Sequence, residues 1–411
     1  MGARSVWFLL AATLFAQERL EDKFYIPLDD PAIHYAQPPD DPVARLEQRL
    51  ESGKVKLEYN PNGPSYLASV LHELGVHIDS QVLVFSKTSI QLSKISPRTP
   101  RAIYFNDQVS VGFVQGGDVL ELTALDPRQG IILYTLDTEK TDKPQFSRRD
   151  DCLKCHQGPV TLGVPGLLIS SVHPRTEGRE SHGSAYMTDH RSPLEERWGG
   201  WYVTGTSGDQ KHLGNNPNLV DPLQPGGPAG PDSQNVTSLG GWFDTSRYLA
   251  PTSDLVALMT LEHQTRMTNL ITRVGWDARI NPKDHNLNSE IEEMLGYMLF
   301  TDEAPLKNPI AGVSTFTKTF PQRGPHDHEG RSLRDFDLKT RLFRYPLSYM
   351  IYSGAFDGMP DPVRDRVYHR LYEILSGKDQ SKPFAALAAA DRQAVLEILR
   401  DTKPNLPAWW K

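Results

Sequence analysis

Cysteine occurs only twice in 411 residues, at positions 152 and 155. A chain of this length therefore folds without a disulfide framework, and its stability must rest on packing. The composition supplies what packing needs: 38% of the residues are hydrophobic, with 31 glycines besides. That is ordinary for a globular protein and excludes a disordered or fibrous chain. The length suits two or three domains or one large one. The net charge is −7 and no block of lysine and arginine stands out, which argues against a nucleic-acid partner.

Along the chain the hydrophobic period changes once. Residues 17–62 are rich in proline and aspartate, with one expected helix at Pro42–Leu50; another is expected at Ser65–Leu74. Then come short β-branched and aromatic runs at 81–86, 101–106, 108–114, 119–125 and 130–136, separated by turn residues as in an antiparallel sheet. Further strand-like pieces lie at 166–172 and 200–206, and 207–240 reads as loop. From Ser253 the period is helical, with candidates at 253–274, 288–300, 361–375 and 389–400, while 321–331 reads as a polar loop. Strands first and helices afterwards predict an α+β fold, an antiparallel β-rich part followed by a mainly helical part.

The first residues, MGARSVWFLLAATLFAQERLED, place Arg4 before an apolar run from Val6 to Ala16. Eleven helical residues rise about 16 Å, too little to cross a hydrocarbon core of about 30 Å. Small residues end the run. The pattern is that of a secretory leader cut after Ala16, and no second apolar run of spanning length follows. The mature chain is thus expected outside the cytoplasm, periplasmic or extracellular, with no transmembrane segment.

The two cysteines belong to Cys152-Leu153-Lys154-Cys155-His156. C-x-x-C-H is the attachment signature of a c-type haem. Two thiols three apart on a helical turn reach the two vinyl groups on one edge of a porphyrin, and the adjacent histidine gives its Nε2 to the iron. Chance would produce this arrangement on the order of once in ten thousand such chains. A thioredoxin-like redox pair wants a βαβ setting that is absent, and a zinc site wants two more ligands at zinc-finger spacing. A disulfide between the two cysteines is the third alternative. The expected organisation is a leader (1–16), a β-rich region (17–150), a haem-attachment region with strands and long loops (151–245) and a helical region (246–411), enclosing one covalent haem c.

Through this pentapeptide and the leader the chain resembles the c-type cytochromes, though not their small all-helical fold of about 100 residues. Three longer phrases, RAIYFNDQVSVGFVQGG, TDHRSPLEERWGGWYVTG and RDFDLKTRLFRYPLSYMIYS, resemble segments of large uncharacterised exported bacterial proteins with a single C-x-x-C-H. That likeness spans most of 65–376 and implies an architecture and a haem, with no assigned reaction.

With His156 proximal, the reaction turns on the iron's far side. Val256, Met259, His263, Met267, Leu270 and Val274 form one apolar stripe at helical spacing, with His263 at its centre. His263 is the leading far ligand, or else a core histidine satisfied by a carbonyl, carboxylate or water. Met259 and Met267 are further candidates, as are His173, His182, His190 and His212, and an open position is the remaining alternative. Arg191 and Arg197 suit haem propionates; Trp198, Trp201 and Tyr202 suit a pocket wall or plain core. His326-Asp327-His328-Glu329 reads as a solvated turn rather than a second metal site, and Ser348-Tyr349-Met350 shows no nucleophile setting. Two functions follow: a one-electron carrier with a redox partner protein, or a haem enzyme, peroxidase- or oxygenase-like, with an open or exchangeable far site. A third, weaker one is a partner-binding subunit whose haem serves assembly or sensing.

Overall fold

The structure is a computed structural model and describes residues 26–172, 185–217, 233–283 and 287–410. The leader at 1–16 lies outside the described residues, as do His173 and His182. The architecture is α+β: a seven-stranded antiparallel sheet built mainly from the N-terminal half, followed by a helical C-terminal half.

Two helices precede the sheet, α1 (Pro42–Glu51) and α2 (Leu67–Glu73). Proline at the first position and Asp41 as cap, accepting from the amides of Val43 and Ala44, start α1. The other Asp41 oxygen accepts the Tyr134 hydroxyl at 2.6 Å, which ties the helix to the sheet. The strands are β1 (Val82–Val84), β2 (Arg101–Phe105), β3 (Val109–Phe113), β4 (Val119–Asp126), β5 (Gly130–Asp137) and β6 (Phe146–Arg148). They follow one another as neighbours, and from β2 to β5 the turns between them are short. In β2 and β4 burial alternates, so Arg101, Ile103, Glu121 and Thr123 stand half-buried on one face while Ala102, Tyr104, Leu120 and Leu122 are buried on the other.

After the cysteine turn come α3 (Leu153–His156) and the hairpin of β7 (Ser170–Val172) and β8 (Ala185–Met187). Strand β9 (Trp201–Tyr202) returns to pair with β1, giving the order β6-β5-β4-β3-β2-β1-β9. A small ladder joins β10 (Gly205–Thr206) to β11 (Ala311–Gly312). The later helices are α4 (Leu255–Ile280), α5 (Leu287–Met298), α6 (Phe316–Gln322), α7 (Gly354–Asp357), α8 (Asp361–Leu375) and α9 (Ala389–Thr402). One continuous hydrophobic core runs from Ile26 to Trp410. No helix among the described residues is long and apolar enough to cross a membrane.

Helix α4 departs most from the sequence expectation. It runs six residues beyond Val274, to Ile280, and is buried on every side rather than along one stripe. Asp254 caps it through the amides of Val256 and Ala257, and its second oxygen accepts from Val313 and Ser314. The polar side chains of α4 are buried because other elements bond them: Gln264 donates to Asn106 O, and Arg273 to Leu162 O and Asp277. Close packing on the sheet fixes one glycine. Gly130, at φ +82°, opens β5 where a Cβ would come within 2.6 Å of Thr272 on α4. The expected loop at 321–331 also begins later, since α6 includes Pro321 in its last turn.

Candidate functional site: the cysteine–histidine turn

The turn starts from the sheet edge. The Arg149 amide bonds Leu133 O of β5 at 2.8 Å, and a 3₁₀ turn from Asp150 to Cys152 leads into α3. Leu153 and Gln157, one helical turn apart, are buried, and Gln157 donates to Ile26 O and Gly163 O. This anchoring leaves Cys152 half-buried and Cys155 exposed, both as free thiols. Burial and the neighbouring Asp151 push the Cys152 thiol above its ordinary range. It is therefore held protonated, the opposite of the activated thiolate of a redox pair.

His156 is clamped. Its backbone carbonyl accepts the Gly166 amide at 2.8 Å, and its Nδ1 lies 2.9 Å from Gly166 O. A carbonyl only accepts, so the Nδ1 proton is fixed and Nε2 carries the lone pair. Burial lowers the pKa, keeping the ring neutral. The clamp is held in turn by α4: Asn269 accepts from the Leu167 amide at 2.9 Å and donates to Leu167 O at 2.7 Å. Gly166 admits no side chain, because a Cβ there would meet Asn269 Oδ1 at 2.4 Å. Replacing Asn269 by alanine is expected to loosen the His156 ring and weaken any metal bound at Nε2 by roughly 10–100-fold, the usual effect of removing such outer support. Exogenous imidazole titrated against both proteins, followed optically, measures this; equal displacement would show that Asn269 does not orient the ring.

On the neighbouring sheet face Arg101 donates to Glu121 at 3.0 Å, and Gln91 and Ser89 donate to the other Glu121 oxygen. The His156 ring feels both charges, Arg101 disfavouring and Glu121 favouring its protonation.

The other sequence candidates gather elsewhere, around α4. His263 is fully buried, with Nδ1 2.8 Å from His190 Nδ1 and Nε2 2.7 Å from Ser348 Oγ. Both ring nitrogens are thus engaged, and the buried imidazole is satisfied without a metal. His190 stacks on Tyr297 at 3.9 Å, and Phe300 covers both histidines. Burial drives the His263 pKa down to about 3, and burial with the charge of His263, Arg191 and Arg197 drives that of His190 well down. Met259 and Met267 are buried in the core. Arg197 is enclosed, bonding Glu262 at 3.1 Å and the carbonyls of Ser192 and His190. Arg191 pairs with Asp189 at 2.7 Å and lines a cavity of about 360 Å³ together with Val160, Leu167, Met187 and Arg266. That cavity flanks the segment that clamps His156.

His212 is buried against Trp198, its Nδ1 without a hydrogen bond, and burial lowers its pKa to about 4. Trp198, Trp201 and Tyr202 are core residues; Trp201 Nε1 donates to Ser170 O and the Tyr202 hydroxyl to Pro97 O. In the 326–329 turn Asp327 takes Arg331 and His328 takes Asp401. Among the described residues no group of three or more histidine, cysteine or carboxylate side chains could hold a metal ion. Sequence reasoning missed Gly166, Asn269, Arg101, Glu121 and the Ser348–His263 contact. That last pair gives Ser348 a histidine neighbour, with both side chains shut off from solvent. Nothing local marks these residues, for their partners lie far off in sequence. Comparison with protein-family models, with curated proteins and with solved structures gives no match.

Proposed function

We propose that this chain is an exported c-type cytochrome that carries one covalently attached haem and exchanges single electrons with a partner protein. The observation that carries the reading is the clamped His156: a neutral imidazole with its proton fixed on Nδ1 by Gly166 O, one position after two free thiols on the same helical turn. Cys152 and Cys155 would hold the haem and His156 Nε2 its iron. The bound group supplies one-electron redox chemistry at iron. The chain's own part is to fix the imidazole tautomer and to keep the ring neutral by burial. The leader-like N-terminus supports a location outside the cytoplasm, periplasmic or extracellular, where covalent attachment takes place.

A second reading, a haem enzyme with an open or exchangeable far site, is favoured by one specific finding. His263 and His190 bond each other, and Met259 and Met267 lie within the core. His263 is thereby engaged at both ring nitrogens, by His190 and Ser348, while among the described residues His190 Nε2 and His212 Nδ1 have no hydrogen-bond partner.

The protein produced in a host that matures c-type cytochromes is expected to show one haem per chain in an alkaline pyridine spectrum. A Cys152→Ser, Cys155→Ser variant should lose covalent haem altogether; covalent haem surviving that change would defeat the proposal. Carbon monoxide then separates the two functions: a low-spin spectrum that it leaves unmoved supports the carrier, and ready binding supports the enzyme.

A further inference from the structure

The sheet face beside the turn carries a charged cluster with no evident structural need. In β2, β3 and β4 the residues Ile103, Gly112 and Glu121 stand opposite one another across the strands. The Arg101 stem passes beside Gly112, where a Cβ would make ordinary contact at 3.8 Å from Arg101 Cδ and 3.5 Å from Glu121 Cβ. Arg101 thereby reaches Glu121, whose two oxygens are already taken by Arg101, Gln91 and Ser89. The carboxylate is saturated but the guanidinium is not, for its Nε is buried without a hydrogen-bond partner. An unmet buried donor costs roughly 1–3 kcal/mol, and the acceptor that would meet it is an anion or a carbonyl oxygen arriving from outside the fold. The sheet is tied to the cysteine turn through β5 by the Arg149–Leu133 hydrogen bond, and the charges of Arg101 and Glu121 reach His156.

We infer that this half-buried face of β2–β4 is one wall of the cofactor pocket and that Arg101 pairs with a carboxylate of the cofactor, a haem propionate. The inference rests on the haem reading above. A guanidinium forks onto a carboxylate with directional, charge-assisted bonds. Its positive charge beside the haem favours the reduced state, which has one positive charge fewer, while Glu121 acts in the opposite sense.

The test compares the purified holoprotein with Arg101→Leu, Arg101→Lys and Glu121→Gln variants, reading haem stoichiometry and midpoint potential. All variants should keep one covalent haem per chain. Arg101→Leu should make reduction less favourable by roughly tenfold, 59 mV for one electron. Arg101→Lys, which keeps the charge, should recover most of that shift, and Glu121→Gln should move the potential upward. A merely structural ion pair would change stability in both neutralising variants and leave the potential where it was; that result overturns the inference. If Arg101→Leu does not fold, the Glu121→Gln potential decides alone. Wild-type protein without covalent haem would instead defeat the haem reading itself, a different outcome from an unmoved potential.

Discussion

Exchange of Arg197 for leucine is expected to lower the unfolding free energy by roughly 3–5 kcal/mol, the usual cost of removing one partner from a buried ion pair. Arg197 and Glu262 are almost fully enclosed, with side-chain exposures of 2% and 0%. Arg197 also donates to the carbonyls of Ser192 and His190, so its loss strands two acceptors beside an uncompensated carboxylate. Thr188 still donates to Glu262 at 2.8 Å, but one hydroxyl does not neutralise a charge. Burial already pushes the Glu262 pKa upward despite Arg197. In the variant the carboxyl should take up a proton, and the loss should shrink in mild acid. A double replacement by apolar residues of similar volume should recover much of the stability. Urea midpoints measure all three; a single variant within about 1 kcal/mol of wild type would show that the pair is not the keystone of this layer.

The second large effect is a dependence on pH that steepens in acid. His263 titrates in the fold at about 3 rather than 6.5, and His190 is displaced in the same direction. Around them stand Arg191, Arg197, Asp189, Glu262 and Tyr297. Below 6.5 the unfolded chain protonates these histidines while the folded chain does not. Their contribution is complete above that pH and falls away in acid, about 1.4 kcal/mol per pH unit for each. Glu303 works in the opposite sense. Burial raises its pKa from 4.5 to about 7, so between those values the folded state binds the extra proton and gains stability as pH falls. Glu262 shifts in the same direction. Between about pH 6.5 and 4.5 Glu303 therefore offsets about half of the two histidines' slope, and below 4.5 stability should drop more steeply, by up to about 2.7 kcal/mol per unit from the two histidines. Glu303→Gln removes one opposing group and should steepen the slope in the upper window. Unfolding followed at pH 7, 5.5 and 4 tests this, and an unchanged upper slope in Glu303→Gln would refute it.

What was readable in the sequence divides along the range of the interactions. The strands at 101–105 and 130–137 and the helix at Asp361–Leu375 lie close to where local periodicity puts them. The cysteine turn was legible because its chemistry is contained in five consecutive residues. Helix α4 was read as amphipathic because a periodicity count treats Glu262, Gln264 and Asn269 as solvent-seeking. Whether a polar group can be buried depends on who bonds it, and the partners come from Arg197, Asn106 and Leu167. His263 was singled out correctly as a buried imidazole needing a partner. That its partners are His190 and Ser348, 73 and 85 residues away, is decided by tertiary packing alone. Arg101 reads like any polar residue on a strand; only the three-strand register brings it diagonally past Gly112 to Glu121.

The pairing of β9 with β1 bears on the order in which the molecule assembles. Strands β2 to β6 are successive hairpins, each closable over a few residues. The β1–β9 contact closes a loop of about 120 residues through two residue pairs, and such non-local pairing forms late. The cysteine turn lies inside that loop. During folding the two thiols therefore belong to a segment whose far end is not yet fastened. Amides of β9 should accordingly exchange with solvent well before those of β4 and β5.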